Sequence, residues 1–304
     1  MTRILIVGGN GFIGQNLIKR CMSLNWDIYT LNLHFHDLSS KYKNIVEITC
    51  DVRNLDELKN NLSKYEFTYV VNCLGYVDHS TLNNGGLNII QTHFIGTVNL
   101  ISVLKKKSLK KFINIGSSDE YGYSTAPQVE TMIEKPFTCY SFSKTCTSEF
   151  LKMMHISESF PSIILRIFLT YGPHQNNQRF IPQIINGCLS ESKFPVSEGN
   201  QLRDFCFISD IVDAIFIALK SDINNAEIFN IASGNPVKIK DIILLIKKIT
   251  GKGLPIFGSI PYRNNEIMEL YADISKAKVK LNWFPKIGLL EGLTLTIKAK
   301  IENI

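Results

Sequence analysis

Apolar runs without polar alternation recur along the first half of the chain, and segments with a helical spacing of apolar residues separate them. Runs of this kind are typical of parallel strands that helices cover on both faces of a sheet. The pattern therefore predicts an α/β fold with a doubly wound parallel sheet and right-handed connections. The predicted strands are 3–7, 27–33, 45–50, 69–74, 111–116 and 162–168, and the predicted helices are 11–23, 54–62, 85–106 and 140–157.

The composition of the chain changes after Gly172-Pro173, where prolines and glycines become frequent and the alternation of strands and helices is interrupted. A strand at 228–231 is expected to return to the main sheet. We therefore expect a main domain at 1–173 with a return segment at about 205–232. Residues 174–204 and 233–304 are expected to form a smaller, discontinuous C-terminal lobe that binds the substrate.

A glycine-rich motif, G-G-N-G-F-I-G at 8–14, lies directly between the first predicted strand and the first predicted helix. A tight turn, close approach of the backbone to a pyrophosphate and packing of the helix on the strand each require a missing Cβ. The helix N-terminus then presents N–H groups and a positive dipole end to phosphates. This context predicts a Rossmann dinucleotide site whose residues include Gly8, Gly11, Phe12, Ile13 and Gly14.

The second predicted strand ends near Asn32, where an acidic residue normally binds the adenosine ribose 2′-hydroxyl. An asparagine can hydrogen-bond a hydroxyl, but it lacks the charge that excludes a 2′-phosphate. His34, His36 and Lys41 follow in the sequence, and no arginine follows at once. We therefore expect NAD as the cofactor, with NADP as the alternative.

Tyr140 and Lys144 form a Y-x-x-x-K pair at the start of a predicted helix. Residues four apart share a helical face, so the ammonium is expected to lie near the phenol. A phenol with its ordinary pKa near 10 is a poor base at neutral pH, and a neighbouring cation lowers that pKa. Such a pair often arises by chance, and a surface pair is the alternative. The upstream dinucleotide turn, the position about 130 residues beyond it and a hydroxyl about 23 residues earlier favour a proton-transfer site in which Tyr140 is the acid or base and both residues contact the cofactor.

Further motifs extend over nearly the whole chain: L-R-I-F-L-T-Y-G-P at 165–173, R-F-I-P at 179–182 and Q-L-R-D-F-C-F-I-S-D at 201–210. With the glycine motif, they resemble the extended short-chain dehydrogenase/reductase family, NAD-dependent epimerase/dehydratase type. The stretch 257–268 is similar to nucleotide-sugar 4-keto reductases of the abequose synthase type. Three positions depart from the family pattern: Leu169 and His93 each replace an asparagine, and Asn72 replaces a histidine.

The resemblance implies roles for several further residues. Ser117, about 23 residues before Tyr140, takes the position of the catalytic serine or threonine, whereas the role of an N-cap or turn serine fits Ser118 better. The cofactor contacts that the resemblance adds are Asp51 and Val52. The residues that it implies for substrate binding are Ser117, Ser118, Asp119, Arg179, Arg203 and Arg263. Arg203 and Arg263 are expected to bind the nucleotide diphosphate, because a guanidinium can donate two hydrogen bonds to phosphate oxygens.

Hydride transfer at C4 of a nucleotide-diphosphate hexose or heptose is the function that we expect, by a 4-keto reductase or 4-dehydrogenase that uses Ser117, Tyr140 and Lys144. A 4-epimerase needs the same three residues and remains an alternative. A 4,6-dehydratase is a second alternative, although Ser118-Asp119 offers a carboxylate one methylene shorter than the family's Glu. A third is a non-catalytic NAD-binding regulator, which would not need the three catalytic side chains.

Composition excludes other classes of protein. Hydrophobic residues make up 45% of the chain and charged residues 20%, which is ordinary globular composition. The net charge of +6 is spread along the sequence, so we expect no nucleic-acid partner. No apolar run reaches the length of a membrane span, and the seven cysteines and six histidines have no metal-binding spacing. We expect a cytoplasmic enzyme without a metal.

The helices predicted at 85–106 and 140–157 resemble those that pair as a four-helix bundle in homodimers of the family. The resemblance therefore implies a homodimer. The apolar positions that would contribute are Phe94, Val98, Ile101, Phe150 and Met154, and each fits the intramolecular core equally well.

Overall fold

Strands and helices alternate through the first half of the computed structural model, which describes residues 2–42 and 44–302. Up to residue 167 the strands are β1 Arg3–Val7, β2 Asp27–Asn32, β3 Ile45–Thr49, β4 Tyr69–Asn72, β5 Lys111–Ser117 and β6 Ser162–Ile167. The helices of this part are α1 Phe12–Met22, α2 Leu38–Lys41, α3 Leu55–Leu62, α4 Gly86–Ile90, α5 Gly96–Val103 and α6 Cys139–Glu158.

Short strands are more frequent after residue 167. They are β7 Leu169–Tyr171, β8 Lys193–Pro195, β9 Leu202–Arg203, β10 Phe205–Phe207, β11 Asn225–Ile231, β12 Val237–Lys238, β13 Leu254–Ile256 and β14 Glu269–Leu270. The helices are α7 Phe180–Leu189, α8 Ile208–Lys220, α9 Ile239–Thr250, α10 Ser275–Lys280 and α11 Leu289–Ile301. Among the described residues, none of these helices or the earlier ones is long and apolar enough to span a membrane.

The main sheet has seven strands in the order β11-β6-β5-β4-β1-β2-β3. The pairings from β3 across to β6 are parallel, and Val7 of β1 lies opposite both Leu31 of β2 and Asn72 of β4. The strand that was predicted at 228–231 is part of β11 and pairs with β6, as expected. The doubly wound parallel sheet predicted from the apolar runs is therefore confirmed.

The chain divides into two compact units. The first comprises Met1–Gly122, Glu130–Ile167 and Val212–Phe229, and the second comprises Tyr123–Val129, Phe168–Ile211 and Asn230–Ile304. Of the residues predicted for the main domain, 123–129, 168–173, 205–211 and 230–232 belong to the second unit. The second unit contains three small sheets, which pair β10 with β7, β13 with β8, and β9 with both β12 and β14.

The segment predicted as one helix at 85–106 is divided in the structure. A wider π turn at Gln91–Ile95 separates α4 from α5, and α5 ends at Val103 because Leu104 is extended. The residues that follow form a separate short 3₁₀ turn at Lys106–Ser108. π turns within helices are often found at functional sites.

The core of the first unit lies between the sheet and the helices α3, α5 and α6. It includes Ile101 and Met154, which are 1% and 6% exposed and pack within the unit. Of the two alternatives for these side chains, the structure supports intramolecular core. Phe94, Val98 and Phe150, the other expected positions, are only half-buried.

Candidate active site

The turn between β1 and α1 has the backbone geometry that a dinucleotide requires. Gly8 has a φ of +77°, and a Cβ there would lie 2.9 Å from the carbonyl oxygen of Cys73. A Cβ on Gly14 would lie 2.3 Å from the oxygen of Gly8, so α1 approaches the turn as closely as glycine permits. Within the described residues, no side chain caps α1 at Gly11, so its first N–H groups point to solvent or a ligand.

A cavity of about 360 Å³ lies beside this turn, in the first unit. Of the predicted cofactor residues, those that line it are Gly8, Gly11, Asn32, Asp51 and Val52. Phe12, Ile13 and Gly14 form the adjacent first turn of α1, and they are not among the described residues lining the cavity. Tyr140 and Lys144 also lie outside this lining. The close approach of α1 to the glycine turn, the uncapped N-terminus of α1 and the adjacent cavity together fit the pyrophosphate and adenosine parts of NAD.

Asn32, at the end of β2, is buried and its side chain is already engaged. Its Oδ1 accepts a hydrogen bond from the backbone N–H of Asn10 at 3.1 Å. The Asn10 side chain in turn contacts Nε2 of His36. Asn32 therefore fixes the glycine turn as well as lining the cavity.

Asp51 follows β3 and is paired with Arg53. Nε of Arg53 donates to Oδ1 at 2.9 Å, and Nη2 donates to Oδ2 at 2.6 Å. The hydrogen bonds from Arg53 hold the pKa of Asp51 below its ordinary value. At neutral pH this carboxylate is thus charged and largely neutralised by its partner.

Tyr140 and Lys144 lie in the first turns of α6, whose N-cap Thr138 accepts from the N–H of Ser141 at 3.0 Å. Nζ of Lys144 lies 5.9 Å from the centroid of the Tyr140 ring and donates to the carbonyl oxygen of Ile115 at 2.8 Å. Burial lowers the pKa of Lys144 to about 8, although the carboxylate of Glu120 opposes this shift. The structure therefore places beside the phenol a lysine whose pKa lies close to neutral pH.

Ser117 is the last residue of β5 and the N-cap of the 3₁₀ turn Ser118–Tyr121. Its Oγ accepts from the N–H of Asp119 at 3.2 Å. Ser118 is a turn serine, as the sequence suggested, but the N-cap is Ser117, because β5 continues through Ser117 and the turn begins immediately after it. Ser118 is buried within the turn.

Glu120 is a residue of this site that sequence reasoning missed. Its carboxylate is fully buried and accepts hydrogen bonds from the N–H of Ser117, Oγ of Ser148 and Nε of Arg166, at 2.8, 2.8 and 2.9 Å. Arg166 also lies over the ring of Tyr121 and pairs with Glu134. The available signal was Arg166 itself, since an arginine inside a fully apolar strand requires a buried acidic partner.

Two histidine rings contact the ring of Tyr140. His93, in the π turn, meets it edge to face with centroids 5.2 Å apart, and His79 does so at 5.9 Å. Burial, with Lys144 adding to it, lowers the pKa of His93 to about 3, so this imidazole is neutral. His79 instead contacts the carboxylate of Asp119, with 2.9 Å between Nε2 and Oδ2.

The three arginines with predicted substrate roles lie in the second unit. Arg203, on β9, is buried, and its Nη2 donates to Oε1 of Glu266 at 2.5 Å. Arg179 precedes α7 and Arg263 lies in the segment before β14, and both are exposed. In the described parts of the chain, no three His, Cys, Asp or Glu side chains are arranged to hold a metal ion.

Known proteins share both the sequence and the fold of this chain. The model of the NAD dependent epimerase/dehydratase family matches residues 4–232. A UDP-glucuronate 4-epimerase of Thermodesulfobacterium geofontis is 28% identical over 320 residues, which cover 100% of this chain and 98% of the relative. A dTDP-glucose 4,6-dehydratase of Haemophilus influenzae is 25% identical over 341 residues, which cover 100% of this chain and 99% of the relative.

Among solved structures, a UDP-glucuronic acid 4-epimerase from Bacillus cereus, in complex with UDP-glucuronic acid and NAD, is similar over the whole chain. The TM-score is 0.88 at 25% sequence identity, and the match covers 100% of both chains.

Proposed function

The chain belongs to the NAD-dependent epimerase/dehydratase family, and from this premise we propose that it transfers a hydride between NAD and C4 of a nucleotide-diphosphate hexose or heptose. The direction that we propose in the cell is reduction of a 4-keto sugar, with 4-dehydrogenation as the reverse. The chain is an enzyme whose family uses NAD as cofactor. The observation that carries the proposal is the ammonium of Lys144 beside the buried phenol of Tyr140.

Tyr140 is the proton donor in the proposed reduction. Its phenol gives a proton to the C4 oxygen of the sugar, and the ammonium of Lys144 stabilises the phenolate that remains. Lys144 also binds the ribose of the nicotinamide nucleotide. NAD in its reduced form supplies the hydride when it is bound.

Ser117 orients the C4 oxygen. Because its Oγ accepts from the N–H of Asp119, its own O–H is directed elsewhere and can donate to the substrate. Glu120 fixes the backbone of Ser117 from the buried side, so the hydroxyl is held on a rigid turn. We assign Ser118 and Asp119, on the same turn, to the sugar side of the site.

Arg203 and Arg263 bind the diphosphate of the substrate, with Arg179 as a third cation. Arg203 is preorganised for this role, because Glu266 and the carbonyl oxygen of Leu202 both accept hydrogen bonds from its guanidinium. The planar fork of a guanidinium matches the geometry of phosphate oxygens, so an arginine held in one orientation suits the diphosphate.

A 4-epimerase is the second candidate, and the 28% identical 4-epimerase relative favours it. For this reaction Tyr140 would first accept the proton of the C4 alcohol while the hydride passes to NAD. The hydride would then return to the opposite face of the 4-keto sugar as Tyr140 gives the proton back. A 4,6-dehydratase needs a further acid and base, for which Asp119 and His79 are the available pair.

We infer in addition a homodimer that uses the exposed apolar side chains Ile95, Phe142 and Met153 of the helical segments at 86–103 and 139–158.

The test incubates the full chain with NADH and a panel of 4-keto hexoses and heptoses linked to CDP, dTDP, GDP or UDP, and separately with NAD and the corresponding C4 alcohols. We expect absorbance at 340 nm to fall by one equivalent for each C4 alcohol formed, for at least one member. A change in the sugar without a net change in NADH would indicate that the enzyme is an epimerase or a dehydratase rather than a reductase. No conversion of any member, in either direction, would contradict the proposal.

A further inference from the structure

The adenosine end of the cofactor cavity lacks the unpaired carboxylate that a site selective for NAD normally has. Sites that select NAD over NADP place a carboxylate at the end of the second strand, where it binds the 2′-hydroxyl and repels a 2′-phosphate. Among the described residues that line the cavity, Asp51 is the only carboxylate, and Arg53 is paired with it. The cavity therefore contains no unpaired negative charge within the described lining.

Asn32 takes the place of the missing carboxylate. Its Oδ1 accepts from the N–H of Asn10, so its amide oxygen faces the glycine turn. The amide carries no charge, so a phosphate at the neighbouring ribose would meet no electrostatic repulsion from this residue.

The cavity lining also supplies donors that suit a phosphate. The segment after Asn32 brings His34 and His36 to the cavity, and Arg53 lies on the wall that follows β3. Glu47 holds this segment in place, because its carboxylate accepts from the backbone N–H groups of His36 and Leu38 at 2.8 and 3.0 Å. Asp51 accepts from Nε and Nη2 of Arg53, and a guanidinium has five N–H donors, so donors remain for a second anion.

We propose that the adenosine end of this cavity accepts a ribose 2′-phosphate, so that the enzyme binds NADP(H) as well as NAD(H). Asn32 is the residue that permits it, and His34, His36 and Arg53 are the donors that surround the phosphate. Such a site can take its reducing equivalents from either nucleotide pool.

The experiment measures binding alone and needs no sugar substrate, so its outcome is independent of the reaction proposed above. The full chain, freed of co-purified nucleotide, is titrated by calorimetry with NADH and separately with NADPH. We expect the two dissociation constants to agree within about tenfold. In Asn32→Asp, a carboxylate oxygen still accepts from Asn10, so the fold is kept while the charge is restored. This variant should weaken NADPH binding by about tenfold or more and change NADH binding by less than about threefold.

The matched control is Asn60→Asp, which adds the same charge on an exposed position of α3 in the same unit. It should change both dissociation constants by less than about threefold. A wild-type preference for NADH above tenfold would overturn the proposal. It would equally be overturned if Asn32→Asp left NADPH binding unchanged, or if Asn60→Asp weakened it as much.

Discussion

Burial of Lys144 determines how its charge depends on pH. An ammonium in a buried position loses hydration, which lowers its pKa to about 8, while Glu120 keeps part of the charged form. Because the phenol of Tyr140 lies beside it, a change in this charge alters the stability of the phenolate. In the proposed reduction, both the protonated phenol and the ammonium are required, so activity should decline as pH rises above about 8.

The same shift predicts a pH dependence of stability. In the unfolded chain Lys144 has the ordinary lysine pKa of 10.5, so between about pH 8 and 10.5 the unfolded state binds more protons than the folded state. The free energy of unfolding of the wild type should therefore rise with pH, relative to Lys144→Met, by up to about 3 kcal/mol across this window. Urea unfolding of both proteins at pH 7, 8, 9 and 10 measures the difference. A difference that stays constant with pH would show that the burial of Lys144 does not depress its pKa.

Sequence reasoning at the residue scale succeeded where the periodicity of one helix determined the geometry. The four-residue spacing predicted that Lys144 lies beside Tyr140, and the structure shows the two side by side. The roles of Glu120 and His93 were not predicted because their side-chain partners are distant in sequence. Besides the nearby N–H of Ser117, Glu120 accepts from Ser148 and Arg166, and His93 packs against Tyr140. Only the folded chain brings such residues together.

At the scale of elements, the π turn between α4 and α5 packs closely against the segment that follows β4. A Cβ on Gly75, whose φ is +104°, would lie 1.9 Å from Cε1 of His93. His93 in turn supports the ring of Tyr140. The missing side chain at Gly75 thus leaves room for the imidazole that packs on the proposed catalytic phenol.

This arrangement can be tested with two alanine variants at glycines of similar backbone conformation. Gly85 has a φ of +110°, but a Cβ there would come no closer than 4.0 Å to Ser80, its nearest neighbour among the described residues. Gly85→Ala should therefore cost only the strain of a left-handed alanine, about 1–2 kcal/mol. Gly75→Ala should cost about 1–3 kcal/mol more by denaturant unfolding and should also lower turnover, because His93 is displaced. Equal losses of stability in the two variants would contradict this role of Gly75.

The strands of the main sheet and the helices α1, α3 and α6 could be predicted because each is a local pattern, and their bounds differ from the prediction by only a few residues. The short helix α2 was not predicted. The π turn was not predicted, and the contacts of its His93 with Gly75 and Tyr140 join residues that only the folded chain brings together. The small sheets of the second unit contain strands of two or three residues. Such strands are too short to show a periodicity of two, so no strand was predicted there.

For the molecule as a whole, the order of strands explains where the cofactor cavity lies. The chain runs from β1 to β2 and β3 on one side and then returns to β4 on the other side of β1. In such sheets the carboxyl ends beside the reversal form a crevice for ligands. The lining residues that follow β1, β2, β3 and β4 meet at this edge. The glycine motif and the alternation of strands and helices predicted this site from sequence, whereas the pairing of Asp51 with Arg53 became visible only in the structure.

The central claim is that reduction takes place at C4 of the sugar with Tyr140 as the proton donor. The most direct measurement uses NADH deuterated on one face of nicotinamide C4, a 4-keto sugar nucleotide that the panel identifies, and NMR of the product. We predict deuterium at C4 of the sugar alcohol from one face of NADH, with Tyr140→Phe forming this product at least ~100-fold more slowly while binding NADH within a few-fold of wild type. A product without deuterium at C4, or undiminished turnover by Tyr140→Phe, would contradict the claim.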